Sequence, residues 1–176
     1  MLPAKPRRVP APATTRPGAA AEHPLAGLFV PGGGQTLRWV THQERELLLL
    51  EHPRFQAAFS RQGGQLLHFQ PRGQRPWLWC ASHWPKGGAI RGGVPVCWPY
   101  FGRQGQVDDA VQHGHARISR WPLTEVKRET DGVVVLKLAL PPRDGVPLEL
   151  QMSVHVGREL RQSIDTLHRG DAPYRL

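Results

Sequence analysis

The chain has 176 residues, of which 39% are hydrophobic and 21% charged, so its composition indicates a folded domain rather than a disordered chain. Its 19 glycines and 18 prolines favour short elements joined by turns over a helical bundle. Two cysteines exclude a disulfide framework and a four-cysteine zinc site, and they indicate a reducing compartment, which we take to be the cytoplasm.

The charge of the chain is strongly basic. The formal net charge is +9, from 23 Lys and Arg against 14 Asp and Glu, and such a surface suits nucleic acid, an anionic surface or a phosphorylated metabolite. The sequence contains no block of five basic residues and no zinc-finger or RNA-recognition pattern, so we expect no nucleic-acid partner. The longest aliphatic run, Leu47–Leu50, is far too short to cross a bilayer, so we expect no membrane partner either.

The first segment, residues 1–22, is rich in Pro, Ala and Arg and contains five prolines. Prolines at this density prevent a helix and remove backbone donors from a sheet, so we expect a disordered basic extension. The Arg7–Arg8 pair is not followed by an apolar segment, which argues against a twin-arginine signal. We therefore place the folded domain at residues 23–176.

The first predicted elements of that domain are a strand and a possible helix. Gln35–Val40 alternates apolar and polar residues, which is typical of a half-buried strand. Gln43–His52 is the one stretch that fits a helix, and Pro53 would end it.

A hairpin follows. The runs Phe55–Arg61 and Gln65–Gln70 are separated by the turn Gln62–Gly64, and this arrangement predicts two paired antiparallel strands. The aromatic run Pro76–Ala81 predicts a short additional strand.

The C-terminal third contains the clearest strand pattern of the chain. Leu148–Val156 places apolar residues on one face and polar residues on the other over its whole length. Val133–Leu140 precedes it through the turn Arg143–Gly145, and Arg161–Leu167 alternates again after it. The sequence therefore predicts an all-β, antiparallel sandwich.

Between residues 81 and 121 the regular pattern stops, and a long irregular segment within a domain is usually functional. Its first half, from Lys86 to Gly102, reads KGGAIRGGVPVCWPYFG. Glycines on both sides of Arg91 allow the backbone to approach a ligand, and the guanidinium offers donors to phosphate or carboxylate oxygens. Lys86 adds a second candidate charge for the same anion. An arginine that only points into water is the alternative.

The second half of the segment reads QHGHAR. On an extended chain His113, His115 and Arg117 would point to one face. Three interpretations remain open: a metal site of the His-x-His type, a structural histidine, and a face that binds sugar or phosphate. Arg117 would repel a cation, and Ser119 and Arg120 stand where a metal site of this type needs a carboxylate, so we expect no metal.

Taken together, IRGGVPVCWPYFG, QHGHAR and the following Trp121 resemble the hexose-6-phosphate mutarotases, also called glucose-6-phosphate 1-epimerases, of the aldose 1-epimerase superfamily. Gly63–Leu67 and Pro76–Ser82 resemble the strand pair that precedes these motifs in the family. The resemblance runs from about Leu47 to the C-terminus.

This resemblance implies the N-terminal part of a β-supersandwich of the galactose-mutarotase type. It implies interconversion of the α and β anomers of an aldohexose 6-phosphate by acid–base ring opening, without a metal or an organic cofactor. Arg91, with Lys86 as a second candidate, would bind the phosphate, and His113 and Arg117 would line the sugar pocket.

The sequence departs from the family pattern in two respects. His115 stands where the family usually has an aromatic residue. The general-acid His and general-base Glu of the family are expected beyond Leu176, so we assign no catalytic residue within this chain and expect a C-terminally truncated mutarotase. Half of a supersandwich would leave strands uncovered, and we expect self-association or a complementing chain.

Two other functions are consistent with the same residues. A non-catalytic sugar-phosphate binding module would keep Arg91 and His113 without an acid–base pair. A basic protein that contacts nucleic acid through its Arg-Gly-Gly motif and N-terminal arginines is the least favoured of the three, because the motif is flanked by aromatic residues and not by further repeats.

Overall fold

The structure, a computed structural model, describes residues 22–30, 34–103, 106, 110–130 and 132–175. The predicted basic extension lies outside the described residues, except for Glu22. Within the described ranges the chain forms eight strands, one 3-10 turn (Ala26–Leu28) and no α-helix, which confirms the predicted all-β class. No helix in this part of the chain is long and apolar enough to span a membrane.

The first sheet contains four antiparallel strands that pair in chain order. The strands are β1 (Thr36–His42), β2 (Arg45–His52), β3 (Phe55–Ser60) and β4 (Gln65–Pro71). The predicted hairpin of β3 and β4 is confirmed, and its turn places Gly63 and Gly64 at φ values of 77° and 54°. These positive φ values explain why glycine occupies the turn.

The helix predicted over Gln43–His52 is wrong. Gln43 and Glu44 form the tight turn after β1, with φ values of 46° and 61°, and β2 begins at Arg45. Leu47–Leu50 lacks alternation because both faces of β2 are buried: Leu48 and Leu50 belong to one apolar cluster, and Leu47 and Leu49 to another. A continuous apolar run of this length does not distinguish a buried strand from a helix.

The second sheet also contains four antiparallel strands in chain order. They are β5 (Leu123–Arg128), β6 (Val134–Leu140), β7 (Leu148–Val156) and β8 (Leu160–His168). The last three confirm the predicted strands within a residue or two. Every second residue of β7, from Leu148 to Val156, is buried, as its alternating pattern predicted.

Two predictions about short segments differ from the structure. β5 was not predicted, because most of its residues are exposed and its sequence carries little apolar periodicity. Pro76–Ala81 is not a strand; within it only Cys80 forms a bridge, to Gly92. Pro76 has no N–H for a ladder, and Trp77 and Trp79 are 56% and 69% exposed.

The main core lies between the two sheets, where the inner faces of β2, β3 and β4 meet those of β6 and β7. The long segment between β4 and β5 contributes Trp98 and Trp121 to this core. The indole N–H of Trp121 donates to the carbonyl of Ala116 at 3.0 Å, so this fully buried side chain leaves no unpaired donor.

A second apolar cluster covers the opposite face of the first sheet, and we call it the outer cluster: Leu25, Phe29, Leu47, Leu49, Ala58, Leu67, Cys80, Trp84 and Ile90. The segment 22–30 is fixed over it at one end by Glu51, which accepts a hydrogen bond from the N–H of Val30 at 3.2 Å. Glu51 also pairs with Arg38 at 3.1 Å, so one buried carboxylate fastens this segment to β1 and β2.

Candidate functional site

The loop that carries the Arg-Gly-Gly motif, residues 86–94, is held by side chains of the β3–β4 hairpin; we call it the Arg91 loop. The amide of Gln62 donates to the carbonyl of Gly88 at 2.7 Å. The amide of Gln65 donates to the carbonyls of Ile90 and Gly92. The loop therefore has an ordered backbone without regular secondary structure, because the sheet satisfies its polar groups.

The segment that carries QHGHAR is fastened to the same hairpin. The N–H of Gly63 donates to the carbonyl of Ser119 at 2.8 Å, and the N–H of Trp121 donates to the carbonyl of Arg61 at 2.8 Å. The hairpin turn thus brings the two motifs together, although about twenty residues separate them in sequence.

Gly93 is required by the close approach of the Arg91 loop to β4. It has a φ of 59°, and a Cβ at this position would lie 2.0 Å from the carbonyl oxygen of Leu66. The next residue, Val94, donates its N–H to that same carbonyl at 2.8 Å. Only glycine fits between the backbone of the Arg91 loop and that of β4.

Arg91 lies at the outer side of this loop with an exposed side chain. Its carbonyl accepts the N–H of Ala81 at 3.0 Å, which fixes its backbone. Among the described residues its guanidinium makes no hydrogen bond or ion pair, so its donors are available to an anion.

Lys86 has a different environment. Its ammonium lies 3.4 Å from a carboxylate oxygen of Glu44, and the two side chains are 86% and 62% exposed. Such a pair is weak, and it places Lys86 at the solvent-exposed start of the loop.

His113 supports the neighbouring loop with part of its imidazole. The ring Nδ1 of His113 accepts the backbone N–H of Gly102 at 3.0 Å. The backbone N–H of His113 donates to the carbonyl of Gly102 at 2.7 Å. The ring also contacts Phe101 edge-on, with centroids 5.1 Å apart. These contacts leave Nε2 as the ring nitrogen that can meet a ligand.

The expectation that His113, His115 and Arg117 share one face is wrong. The segment is a series of turns with φ 70° at His113, so the two-residue alternation of a strand does not apply. His115 is buried against Trp98, with ring centroids 5.5 Å apart, where the family usually has an aromatic residue. Burial, with the nearby charge of Arg143, lowers the pKa of His115, so this imidazole is neutral at pH 7.

Arg117 is half-buried beside the hairpin turn. Its carbonyl oxygen would lie 2.9 Å from a Cβ added at Gly63, which shows how closely the turn packs on this residue. Its buried Nε has no hydrogen-bond partner among the described residues. An unpaired buried N–H of this kind is costly, and a ligand acceptor would relieve that cost.

An ion-pair network beside the hairpin was not predicted from the sequence. Glu46 binds Arg61 at 3.0 Å and Arg120 at 2.6 Å, and the hydrogen bond from Arg120 is the main cause of a lowered pKa of Glu46. The guanidinium of Arg61 also lies 4.7 Å from the ring centre of Trp39. The sequence offered one indication of this network. Arg61 directly precedes the predicted turn, and Arg120 directly precedes Trp121.

A cavity of about 1020 Å³ is lined by the segment that follows β4 and by residues near the start of the domain. Its wall includes the indoles of Trp77 and Trp79, the side chains of Gln74 and Arg75, and Cys80, which bridges to Gly92. Two exposed indoles with amide and guanidinium groups around them suit a ligand that has both apolar and hydroxyl surfaces.

The described residues thus offer anion binding and hydrogen bonding. No group of three His, Cys, Asp or Glu side chains in the described part of the chain is placed to ligate a metal. Both cysteines are free thiols, and burial raises the pKa of Cys80, so this thiol is protonated at neutral pH.

Comparison with known proteins shows which family the chain belongs to. A profile described as aldose 1-epimerase matches residues 46–164, about two-thirds of the chain, from β2 into β8. The chain belongs to the aldose 1-epimerase family. The match includes the Arg91 loop, the QHGHAR segment and the hairpin that joins them.

Curated bacterial relatives cover part of this family region. A protein of Escherichia coli (strain K12) named "Putative glucose-6-phosphate 1-epimerase" is 42% identical over 94 residues, which are 52% of this chain and 32% of that protein. A protein of the same name from Salmonella typhimurium is 38% identical over 92 residues, which are 51% of this chain and 31% of that protein. The matched region therefore spans about a third of the length of these relatives.

A solved structure agrees with the fold. A crystal structure from Salmonella typhimurium described as a "putative mutarotase" superposes with a TM-score of 0.68 and 29% identity, over 74% of this chain and 46% of that chain. The two four-stranded sheets thus match about half of that chain.

Proposed function

We propose that this chain binds an aldohexose 6-phosphate and forms the substrate-binding part of a hexose-6-phosphate mutarotase. The observation that carries the proposal is the free, exposed guanidinium of Arg91 on a loop whose backbone the sheet holds in place. A phosphate at this position would receive charge-assisted hydrogen bonds, with Lys86 as a weaker contributor.

The sugar would lie towards His113 and Arg117. His113 would offer Nε2, since its Nδ1 is engaged by Gly102, and Arg117 would offer the outer N–H groups of its guanidinium. Ring opening requires a base that takes the anomeric proton and an acid that protonates the ring oxygen. We propose that these two groups lie in the part of the fold that the longer relatives have and this chain does not match.

The binding step is tested by a phosphorus NMR titration of glucose 6-phosphate with the wild type and Arg91→Gln. Loss of one charge-assisted contact should weaken binding by roughly tenfold or more. Arg128→Gln removes the same charge from an exposed position on β5 and should leave the affinity unchanged. Equal effects of the two substitutions would contradict the assignment of Arg91.

A rate measurement tests the proposed location of the acid–base pair. Freshly dissolved α-glucose 6-phosphate is followed by proton NMR with and without the chain. The proposal expects binding without acceleration by this chain alone. Acceleration that is lost in His113→Ala would place an acid–base pair within these residues and would contradict the proposed location of that pair.

A further inference from the structure

The segment that carries Trp79 runs beside the Arg91 loop. The N–H of Gly93 donates to the carbonyl of Trp79 at 2.7 Å, and the N–H of Ala81 donates to the carbonyl of Arg91 at 3.0 Å. Between these two bonds Cys80 and Gly92 form an antiparallel bridge. Residue 79 is therefore opposite residue 93, and residue 81 is opposite residue 91.

The two faces of this short ladder differ in how far their side chains are buried. Cys80 is 2% exposed and Ile90 is fully buried, and both belong to the outer cluster. Trp79 is 69% exposed, and Arg91 is exposed as well. Because side chains alternate along paired strands, Trp79 and Arg91 lie on the solvent side as diagonal neighbours, a separation that long side chains bridge.

The indole of Trp79 differs from those of the other tryptophans. The indole N–H groups of Trp77, Trp84, Trp98 and Trp121 all donate hydrogen bonds, and the ring of Trp39 contacts Arg61. Among the described residues, the Trp79 indole forms no ring contact and no hydrogen bond. A large apolar ring left exposed beside a free guanidinium, in the wall of the 1020 Å³ cavity, points to a ligand with an apolar face and an anionic group.

We propose that Trp79 is a ligand-positioning residue whose indole face stacks on the C–H face of the pyranose ring, while Arg91 binds the phosphate of the same molecule. This inference rests on the proposed function and adds the surface that orients the sugar. The electron-rich face of an indole attracts the weakly positive C–H groups of a pyranose.

The test compares two probes, glucose 6-phosphate and inorganic phosphate, with the wild type, Trp79→Ala and Trp79→Phe. Trp79→Ala should weaken glucose 6-phosphate roughly tenfold and leave inorganic phosphate unchanged, because only the sugar uses the indole. Trp79→Phe should retain most of the affinity, since it keeps an aromatic face. Val126→Ala, which removes a 40% exposed apolar side chain on β5, should change neither affinity.

A spectroscopic signature separates stacking from a structural role. The upfield ring-current shift of the C–H protons of glucose 6-phosphate should be present in the wild type and absent in Trp79→Ala. If wild type binds glucose 6-phosphate and Trp79→Ala binds it equally well, the inference about Trp79 is wrong and the proposed function stands. If wild type binds neither probe, both are wrong.

Discussion

At the scale of single residues, His68 is the clearest case of a titratable group that the fold keeps neutral at pH 7. It is fully buried on β4, and neither ring nitrogen has a hydrogen-bond partner among the described residues. The ring of His23 lies 4.4 Å away and that of Phe29 lies 5.0 Å away, each measured between centroids. Burial, together with the charge of His23, lowers the pKa of His68 to about 4.

This histidine gives a prediction about stability and pH. The unfolded chain binds a proton at His68 more readily than the folded chain, so stability is complete above about pH 6.5 and falls as the pH approaches 4. The loss from this residue should be about 3 kcal/mol. Urea unfolding at pH 7 and pH 4 measures it.

The control is His68→Phe, which keeps a ring of similar size against Phe29 and cannot be protonated. Its free energy of unfolding should fall less between pH 7 and pH 4 than that of the wild type. Equal losses in the two proteins would show that other groups cause the acid sensitivity.

Residue roles were only partly predictable from the sequence. Arg91 was selected as a candidate because flanking glycines are a local signal for a backbone that approaches a ligand. The turns of the QHGHAR segment were not predicted, because the φ of 70° at His113 is uncommon for a residue other than glycine and no local pattern requires it. The network of Glu46, Arg61 and Arg120 depends on residues far apart in sequence that only the fold brings together.

At the scale of elements, two glycines of the Arg91 loop provide a matched pair. Gly93 has φ 59°, and an added Cβ would meet the carbonyl of Leu66 at 2.0 Å. Gly87 has φ 67°, and no atom lies within 4 Å of an added Cβ. An alanine at either position would be strained by the positive φ. Only at position 93 would its Cβ also collide with a neighbouring atom.

We therefore expect Gly87→Ala to lower the free energy of unfolding by about 1 kcal/mol, and Gly93→Ala by about 3 kcal/mol or more. Thermal and urea unfolding of both variants measure the difference. Similar costs would mean that β4 and the loop move apart at little expense, contrary to the hydrogen bond between Val94 and Leu66.

The strands themselves were predictable to different degrees for a physical reason. β7 was predictable because one of its faces is buried and the other is not, so apolar and polar residues alternate along its sequence. β2 is buried on both faces and β5 is mostly exposed, so neither carries that period. A strand buried on both faces and a strand exposed on both faces each lack the apolar–polar alternation by which a strand is recognised in a sequence.

At the scale of the whole molecule, the second sheet ends on a strand that is poorly covered. β8 pairs only with β7 among the described strands, and Ile164 and Leu167 are 46% and 48% exposed. Ile164 is opposite Met152, which is buried in the core, so the covered face of this sheet stops at β7. Exposed apolar residues on a free edge favour pairing with another chain.

We expect this chain to self-associate through β8, and sedimentation velocity over a range of concentrations measures it. Ile164→Lys should shift the distribution towards monomer, because it places a charge on that edge. Val126→Lys adds the same charge to β5, the other edge of the sheet, which already carries Glu125 and Lys127, and should have no such effect. A wild type that stays monomeric at high concentration would contradict the expectation.

The attachment of the Arg91 loop has a consequence for the kinetics of binding. Gln62 and Gln65 already hold three carbonyls of this loop, so an arriving ligand does not have to immobilise its backbone. The entropy lost on binding then comes mainly from the ligand and a few side chains. Association should be set by diffusion and by the attraction between a basic protein and an anion, with no waiting time for the loop to close.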